Sequence, residues 1–377
     1  MRLYNKKEWS LIPWPTTKEG NRLRDFFTPL FTEGVTAFVA NIETTIYILH
    51  IDDLFIPITV NDKQYHNSYV CSLYSLILYA EEEMKRHKMS LTALLLTPFL
   101  TLFKLWSRLS KINKLVIVNN FLLSTNLYPS LSSSQVHLIH QFFKDQFPDH
   151  AIIFRSLNSY TEKNLSNDLT KIDYTFITNR SVYLFNPENY QNLPSKKRWI
   201  IEKDKKLKKN FKILKHEDFK VSDASEIKRL YDLLYLEKYS YLNPAFTAFF
   251  FKEAIQQKIF TLSGIVYEGR LVGVIGFFKT KGIMATPIVG YDTNLPESLG
   301  LYRLLTILML EESLSSNSLF HMSAGAGHFK RQRGAFQELE SMGIATCHLP
   351  KYRQFIWKCL AFLCNRLGAP LLIKYRF

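Results

Sequence analysis

The feature that most restricts the fold is one order of apolar patterns that recurs in the two halves of the chain. In the second half, Ser222–Tyr239 and Phe246–Gln257 carry helical spacing. Phe260–Tyr267, Arg270–Lys279 and Gly282–Gly290 follow as strands, the first two joined by the hairpin signal Glu268-Gly269. A turn at Asn294–Gly300 then leads into a helix with Leu301, Leu304, Leu305 and Leu308 on one stripe, and Leu319–Ser323 reads as a further strand. The first half offers Val35–Val39, Thr45–Ile51 and Leu54–Val60 as a meander and Lys114–Val118 as a strand. Ser132–Phe147 reads as a helix, and His150–Phe154 and Arg180–Phe185 as strands. Both halves thus run through helices, meander, strand, helix and strand, which predicts a duplicated α+β unit.

Length agrees with duplication, since 377 residues at roughly 150 per domain make two domains. The expected division is an N-terminal unit over 1–195, a basic connector over 196–220, a second unit over 221–345 and a basic amphipathic helix over 346–377. The connector contains nine cations between Lys196 and Lys212 against Glu202 and Asp204. Such a run reads as a solvated helix or as a docking face for an acidic partner. After Glu340 the chain has no acid, while Lys351, Arg353, Lys358, Arg366, Lys374 and Arg376 alternate with large apolar residues. That pattern suits a membrane surface, a partner, or packing on the core with the cations solvated. The longest apolar stretch, Leu91–Trp106, is interrupted by Pro98 and Lys104. It falls short of the roughly 20 residues that span a bilayer. It reads as a buried or amphipathic helix, or as a groove that receives an acyl chain.

Charge and cysteine content narrow the partners. The net charge of +15 favours acidic partners such as nucleic acid, anionic lipid, an acidic carrier protein or a phosphate-rich cofactor. Cys71, Cys347, Cys359 and Cys364 are too few and too unevenly spaced for a disulfide framework or a zinc site, and read as reduced, mostly buried thiols. The basic start is followed by no apolar core or cleavage site, so a cytoplasmic location is expected.

Two segments carry the candidate chemistry. Ile288–Leu305 is strand, loop and helix start, and a helix N-terminus presents unpaired N–H groups to a phosphate. Val289, Gly290, Leu299, Gly300, Leu301, Tyr302 and Arg303 are the cofactor-binding candidates there, although Gly300 also fits a plain turn. The second segment runs from Leu319 through Ser-Ala-Gly-Ala-Gly to Lys330, Arg331, Arg333 and Gly334. Its small residues let a ligand lie against backbone, and its three cations complete the cofactor set. No Gly-Lys-Ser/Thr ends it, so it is not a P-loop.

These segments resemble the acyl-donor half of the GNAT superfamily, nearest the branch of cellulose-biosynthesis acetyltransferase-like proteins and Fem-type aminoacyl transferases. The resemblance rests on the 283–314 strand–loop–helix, the 319–323 strand and the Phe329-Lys330…Gly334 turn. Glu237–Pro244, Gly269–Gly276 and Pro287–Asp292 add to it. It covers residues 220–345 and, more loosely, 30–190. It implies two tandem GNAT-like domains, each a mixed, largely antiparallel sheet flanked by helices, with the first unit a degenerate copy that shapes the acceptor cleft. One departure stands out: the usual pyrophosphate loop is replaced by Leu295-Pro-Glu-Ser-Leu-Gly300, which leaves the donor open between acyl-CoA and a phosphopantetheine-linked acyl carrier protein.

The implied activity is N-acyl transfer from a thioester, with no metal, to the amine of a peptide, amino acid or amine-bearing lipid. Backbone near Val289–Tyr291 would bind the carbonyl oxygen. Asp292, His321 and His328 are the proton-transfer candidates, with Tyr291, Tyr302 or Ser323 protonating the thiolate. Asp292 also fits a turn cap and His321 a structural histidine. The apolar surplus at 91–106 and near the C-terminus favours a fatty acyl group, with peripheral contact at the inner membrane face. The alternatives are a Fem-type transferase using aminoacyl-tRNA and a non-catalytic membrane or nucleic-acid binder on the same scaffold.

Overall fold

The computed structural model describes residues 1–86 and 101–375. Residues 91–100 of the long apolar stretch therefore lie outside the described residues. Twelve strands form one sheet: β1 Arg2–Tyr4, β2 Thr45–Ile51, β3 Leu54–Asn61, β4 Leu115–Val118, β5 Ala151–Asn158, β6 Thr175–Phe185, β7 Lys212–Leu214, β8 Thr261–Tyr267, β9 Arg270–Thr280, β10 Ile283–Tyr291, β11 Leu319–His321 and β12 Phe336–Ala345. Their order is β1-β2-β3-β4-β5-β12-β6-β11-β10-β9-β8-β7.

That order is the same from either edge. Each half contributes three antiparallel pairings and then one parallel pairing, β4 with β5 and β10 with β11. The last strands are exchanged: β12 of the second half pairs with β5, and β6 of the first half pairs with β11. β6 and β12 pair with each other at the centre over the span from Thr175 to Leu184. The sheet is therefore continuous across the two units.

Most expected elements form where their patterns place them. The helix predicted over Ser132–Phe147 is Ser133–Gln146, and Ser132 and Gln135 close a capping box. Glu268 and Gly269 both take positive φ (49° and 75°), as a two-residue hairpin turn between β8 and β9 requires. The stripe on Leu301–Ser315 understates its burial, because the helix is enclosed almost all round between the sheet and the Ser195–Lys205 helix.

Some expectations are corrected. Val35–Val39 is not a strand. Val35–Phe38 is a helical turn, and only Val39 bridges, to Phe246. The helix expected over Ser222–Tyr239 starts at Ala224, after Asp223. The basic loop after Gly325 contains a short helix, Gly327–Gln332. Only Cys71 of the four free thiols is buried, and Cys347 is exposed. The basic run forms the Ser195–Lys205 helix and then β7, with Ile201 and Asp204 buried.

The C-terminal helical segment Lys351–Lys374 is long and apolar enough by composition to cross a membrane. One face of it is nevertheless fixed to the body. Arg353, Ile356, Trp357 and Ala361 are buried, and Arg353 donates to the carbonyls of Ser110 (3.0 Å) and Lys111 (3.2 Å). The opposite face exposes Phe355, Phe362, Leu367 and Leu371.

Candidate functional site

β10 and β11 run side by side only from Ile283 to Ala285, opposite Leu319 to His321. A bulge between Ala285 and Ile288 then turns β10, which continues to Tyr291 on β9 alone. In Ile288–Tyr291 the backbone groups that face away from β9 have no strand partner. Thr286 and Val289 of β10 and Phe320 of β11 wall the resulting gap, a cleft of about 240 Å³.

Three other segments of the second half, and several of the first, complete the walls. Tyr302, Thr306 and Met309 come from the Leu301–Ser315 helix. Leu234, Tyr235 and Tyr239 come from Leu233–Tyr239, where the preceding helix widens into π geometry, a device that re-aims side chains and recurs at functional sites. The Met322–Ala326 loop closes one end, with non-glycine residues Ser323 (φ 57°) and Ala326 (φ 50°) in the left-handed region. The first half supplies Tyr69, Tyr79, Arg155, Asn179 and Arg180. The cleft is thus shared by both units.

Lys330 is 4 % exposed and anchors the loop. Its Nζ donates to the carbonyls of Met322 (2.7 Å), Ala324 (2.8 Å) and Ser323 (3.3 Å). Burial pulls its ammonium down to about 7, and repulsion from Arg180 adds to this. The three carbonyls take up the three N–H groups of the ammonium. Lys330 therefore positions the loop with all of its donors.

The remaining predicted residues divide between the cleft and other places. Val289, Tyr302, Ser323 and Lys330 line it. Asp292 lies outside it, accepting from Arg229 at 2.9 Å; burial opposes its ionisation, but that bond and the Asn294 N–H keep its carboxyl below the usual range. His328 is exposed and contacts Gln332. Tyr291 accepts from Lys238 at 3.1 Å. His321 is buried behind the cleft wall, its Nδ1 accepting from the Ser323 N–H and its Nε2 lying 3.5 Å from Glu340.

The expected anion cradle is occupied by the protein itself. Gly300 adopts φ 70°, and a Cβ there would meet the Arg303 guanidinium at 2.7 Å. Arg303 in turn lies 3.6 Å from Asp204, and Arg333 donates to the same carboxylate at 2.9 Å. Arg331 donates to the Tyr183 hydroxyl. Leu299 and Leu301 pack in the core beside this helix. Gly290 is bare because the backbone of Leu230 and Tyr231 would lie 2.7 Å from a Cβ. Four of the candidates therefore line the cleft, while Arg303, Arg331 and Arg333 bond to other groups of the protein.

Against this geometry, no protein-family profile and no curated protein matches the sequence. Solved structures do match. L-PGS from Bacillus licheniformis is 11 % identical, covering 66 % of this chain and 82 % of its own, with a TM-score of 0.47. FemX is 7 % identical, over 60 % and 80 %, with a TM-score of 0.45. A GCN5-related N-acetyltransferase from Kribbella flavida is 10 % identical, over 63 % and 83 %, with a TM-score of 0.34. The single mixed sheet, largely antiparallel and with the same strand order from either edge, is the duplicated α+β architecture expected from the sequence. Of the two parallel strand pairs, β10–β11 in the second half is the one beside the bulge and the cleft, within the 283–334 segment singled out in the sequence.

Sequence reasoning missed Arg155, Asn179, Arg180 and Glu340. Arg180 Nε donates to Glu340 Oε1 at 2.6 Å, and its Nη2 donates to the Ser124 carbonyl at 2.8 Å. Burial resists ionisation of Glu340, yet Arg180 and His321 hold its carboxyl down at about 2. The available signal was a charge inside an apolar strand, as in Ile152-Ile-Phe-Arg155.

Proposed function

We propose that this GNAT-like protein transfers an acyl group from a thioester to an amine, with the donor arm in the gap between β10 and β11. The observation that carries this reading is the edge of β10 left without a strand partner at Ile288–Tyr291, from which Val289 lines a cleft shared by both units. Amides on that edge suit the developing oxyanion of a thioester carbonyl. Burial raises the Tyr302 phenol well above its ordinary value, so it stays protonated and can donate a hydrogen bond to the departing thiolate, whose proton comes from the attacking amine as the amide forms. No carboxylate or imidazole lines the cleft among the described residues, so the amine attacks after losing its proton to solvent.

The acyl donor we favour is a carrier-protein thioester. The Leu295–Gly300 loop leaves no open pyrophosphate cradle, because Arg303 folds over Gly300. The basic run at 196–212 offers a face for an acidic carrier. A fatty acyl group and a peripheral position at the inner face of a membrane fit the exposed apolar side of Lys351–Lys374, which carries Lys351, Lys358, Arg366 and Lys374. The net charge of +15 is the one observation that favours transfer from aminoacyl-tRNA instead.

The test is incubation with acyl-CoA, acyl-carrier and aminoacyl-tRNA donors, each with a panel of amines, read by mass spectrometry. An acylated amine formed from the carrier thioester is the expected result. Product from aminoacyl-tRNA alone, with steeply salt-dependent tRNA affinity, would replace the thioester reading by the tRNA one.

A further inference from the structure

The first-unit end of the cleft has a charge arrangement that the transfer chemistry leaves unexplained. Arg155 on β5 is 7 % exposed and, among the described residues, donates through Nη1 alone, to the Val70 carbonyl at 2.9 Å and more weakly to Asn120. Arg180 on β6 uses Nε and Nη2 on Glu340, Ser124 and Thr125. Both side chains line the cleft, and so does Lys330. Glu340 is the acid paired with this group, so the buried Arg155 and Lys330 and the half-buried Arg180 face one carboxylate. Burial of a net positive cluster is unfavourable unless an anion joins it. Burial and then repulsion from Arg180 both lower the affinity of Arg155 for its proton.

A local irregularity adds a second polar group. Arg180 pairs with Glu340 and Thr178 with Ser341, so Asn179 is an extra residue in β6. The bulge explains how the adjacent residues Asn179 and Arg180 both reach the cleft, since successive strand residues otherwise face opposite ways. Asn179 Oδ1 is buried and has no hydrogen-bond partner among the described residues. An unpartnered acceptor next to two partly unused guanidinium groups suits one kind of ligand: an amine that also carries an oxyanion.

The geometry points to Arg155 and Arg180 as the site for the carboxylate or phosphate of a small anionic amine, whose N–H is accepted by Asn179 Oδ1. Calling this ligand the acceptor rests on the transferase reading; the site itself does not. Its place across the cleft from β10 puts the amine on the side from which a donor carbonyl would be attacked.

The site is tested by calorimetric titration of the full chain, without any acyl donor, using acetate, inorganic phosphate, glycine and phosphoethanolamine. Saturable binding of at least one anion is expected. It should weaken about tenfold or more in Arg155→Met and in the double variant Arg180→Met/Glu340→Gln, as loss of a charged hydrogen bond implies. The double variant removes Glu340's charge together with its partner, so no unpaired carboxylate is left to unfold the protein. Lys163→Ala, on the exposed surface, should leave binding unchanged. Acetate against phosphate tells which oxyanion fits, and a glycine or phosphoethanolamine advantage that disappears in Asn179→Leu locates the amine. Absence of saturable binding, or binding equal in wild type and both arginine variants, overturns the proposal. Anion binding that depends on the arginines, without product from any donor, sinks the transferase reading and leaves the site standing.

Discussion

Arg180 and Glu340 meet at 2.6 Å across the central strand pair, one from the last strand of the first unit and one from the last strand of the second. Their bond ties the exchanged strands together at the cleft wall, with Glu340 also 3.5 Å from His321. Removing one member leaves the other charge buried. Glu340→Ala should destabilise the protein by about 3–5 kcal/mol, checked by urea unfolding.

The same pair sets an acid limit. Glu340 holds its carboxyl at about 2 when folded, below the ordinary 4.5, so the unfolded chain binds the proton more tightly. Its contribution is complete above about pH 4.5 and is lost as pH falls towards 2. By linkage this amounts to about 3 kcal/mol. Stability measured between pH 5 and about 2 should fall more steeply in wild type than in Glu340→Gln.

Lys330 gives a slope of the same sign at higher pH. Its folded value near 7 lies below the ordinary 10.5, so the unfolded chain again holds the proton more tightly, here between about pH 7 and 10.5. Stability contributed by this group should rise across that window, and Lys330→Met should abolish the rise. The variant also removes the three carbonyl bonds that fix Met322–Ala324, so transfer should slow at least about tenfold, or about 1.4 kcal/mol in barrier.

Gly290 and Gly300 are tight for different reasons. At Gly290 a methyl group would strike the Leu230–Tyr231 backbone, and Gly290→Ala should lower stability by about 1–3 kcal/mol. At Gly300 the left-handed conformation makes Gly300→Ala unfavourable by about 1–2 kcal/mol and displaces the Arg303 guanidinium. Thermal unfolding of both variants checks these values.

How far the sequence could be read depended on how local the cause was. Ser132 with Gln135, Glu268-Gly269 and the leucines of 301–308 declare their elements within a few residues, and those elements form. The strand exchange is non-local. Nothing within Phe336–Ala345 indicates that it pairs with β5 and β6, so β12 and its Glu340 went unnoticed. The site divided the same way. Cations near Gly300 and after Gly325 were legible as charges, but their partner Asp204 lies about a hundred residues upstream. Val35–Val39 misled because a β-branched cluster was read without Gly34, whose φ of 94° starts the helical turn.

The membrane contact has its own test. Phe355 and Phe362 are 58 % and 61 % exposed beside Lys358. Phe355→Asp/Phe362→Asp should reduce sedimentation with anionic vesicles about tenfold or more, since each buried phenylalanine contributes about 1.5–3 kcal/mol. Vesicles of zwitterionic lipid should bind the wild type more weakly than anionic ones.

The donor gap is tested most directly by Val289→Trp, which places an indole where the thioester arm would lie. With an acyl-carrier donor and a responsive amine, the wild type should form the acylated amine, and the variant should fold normally, bind no donor and form none. Equal product from the two proteins, or neither donor binding nor product from the wild type with any thioester, would contradict the account.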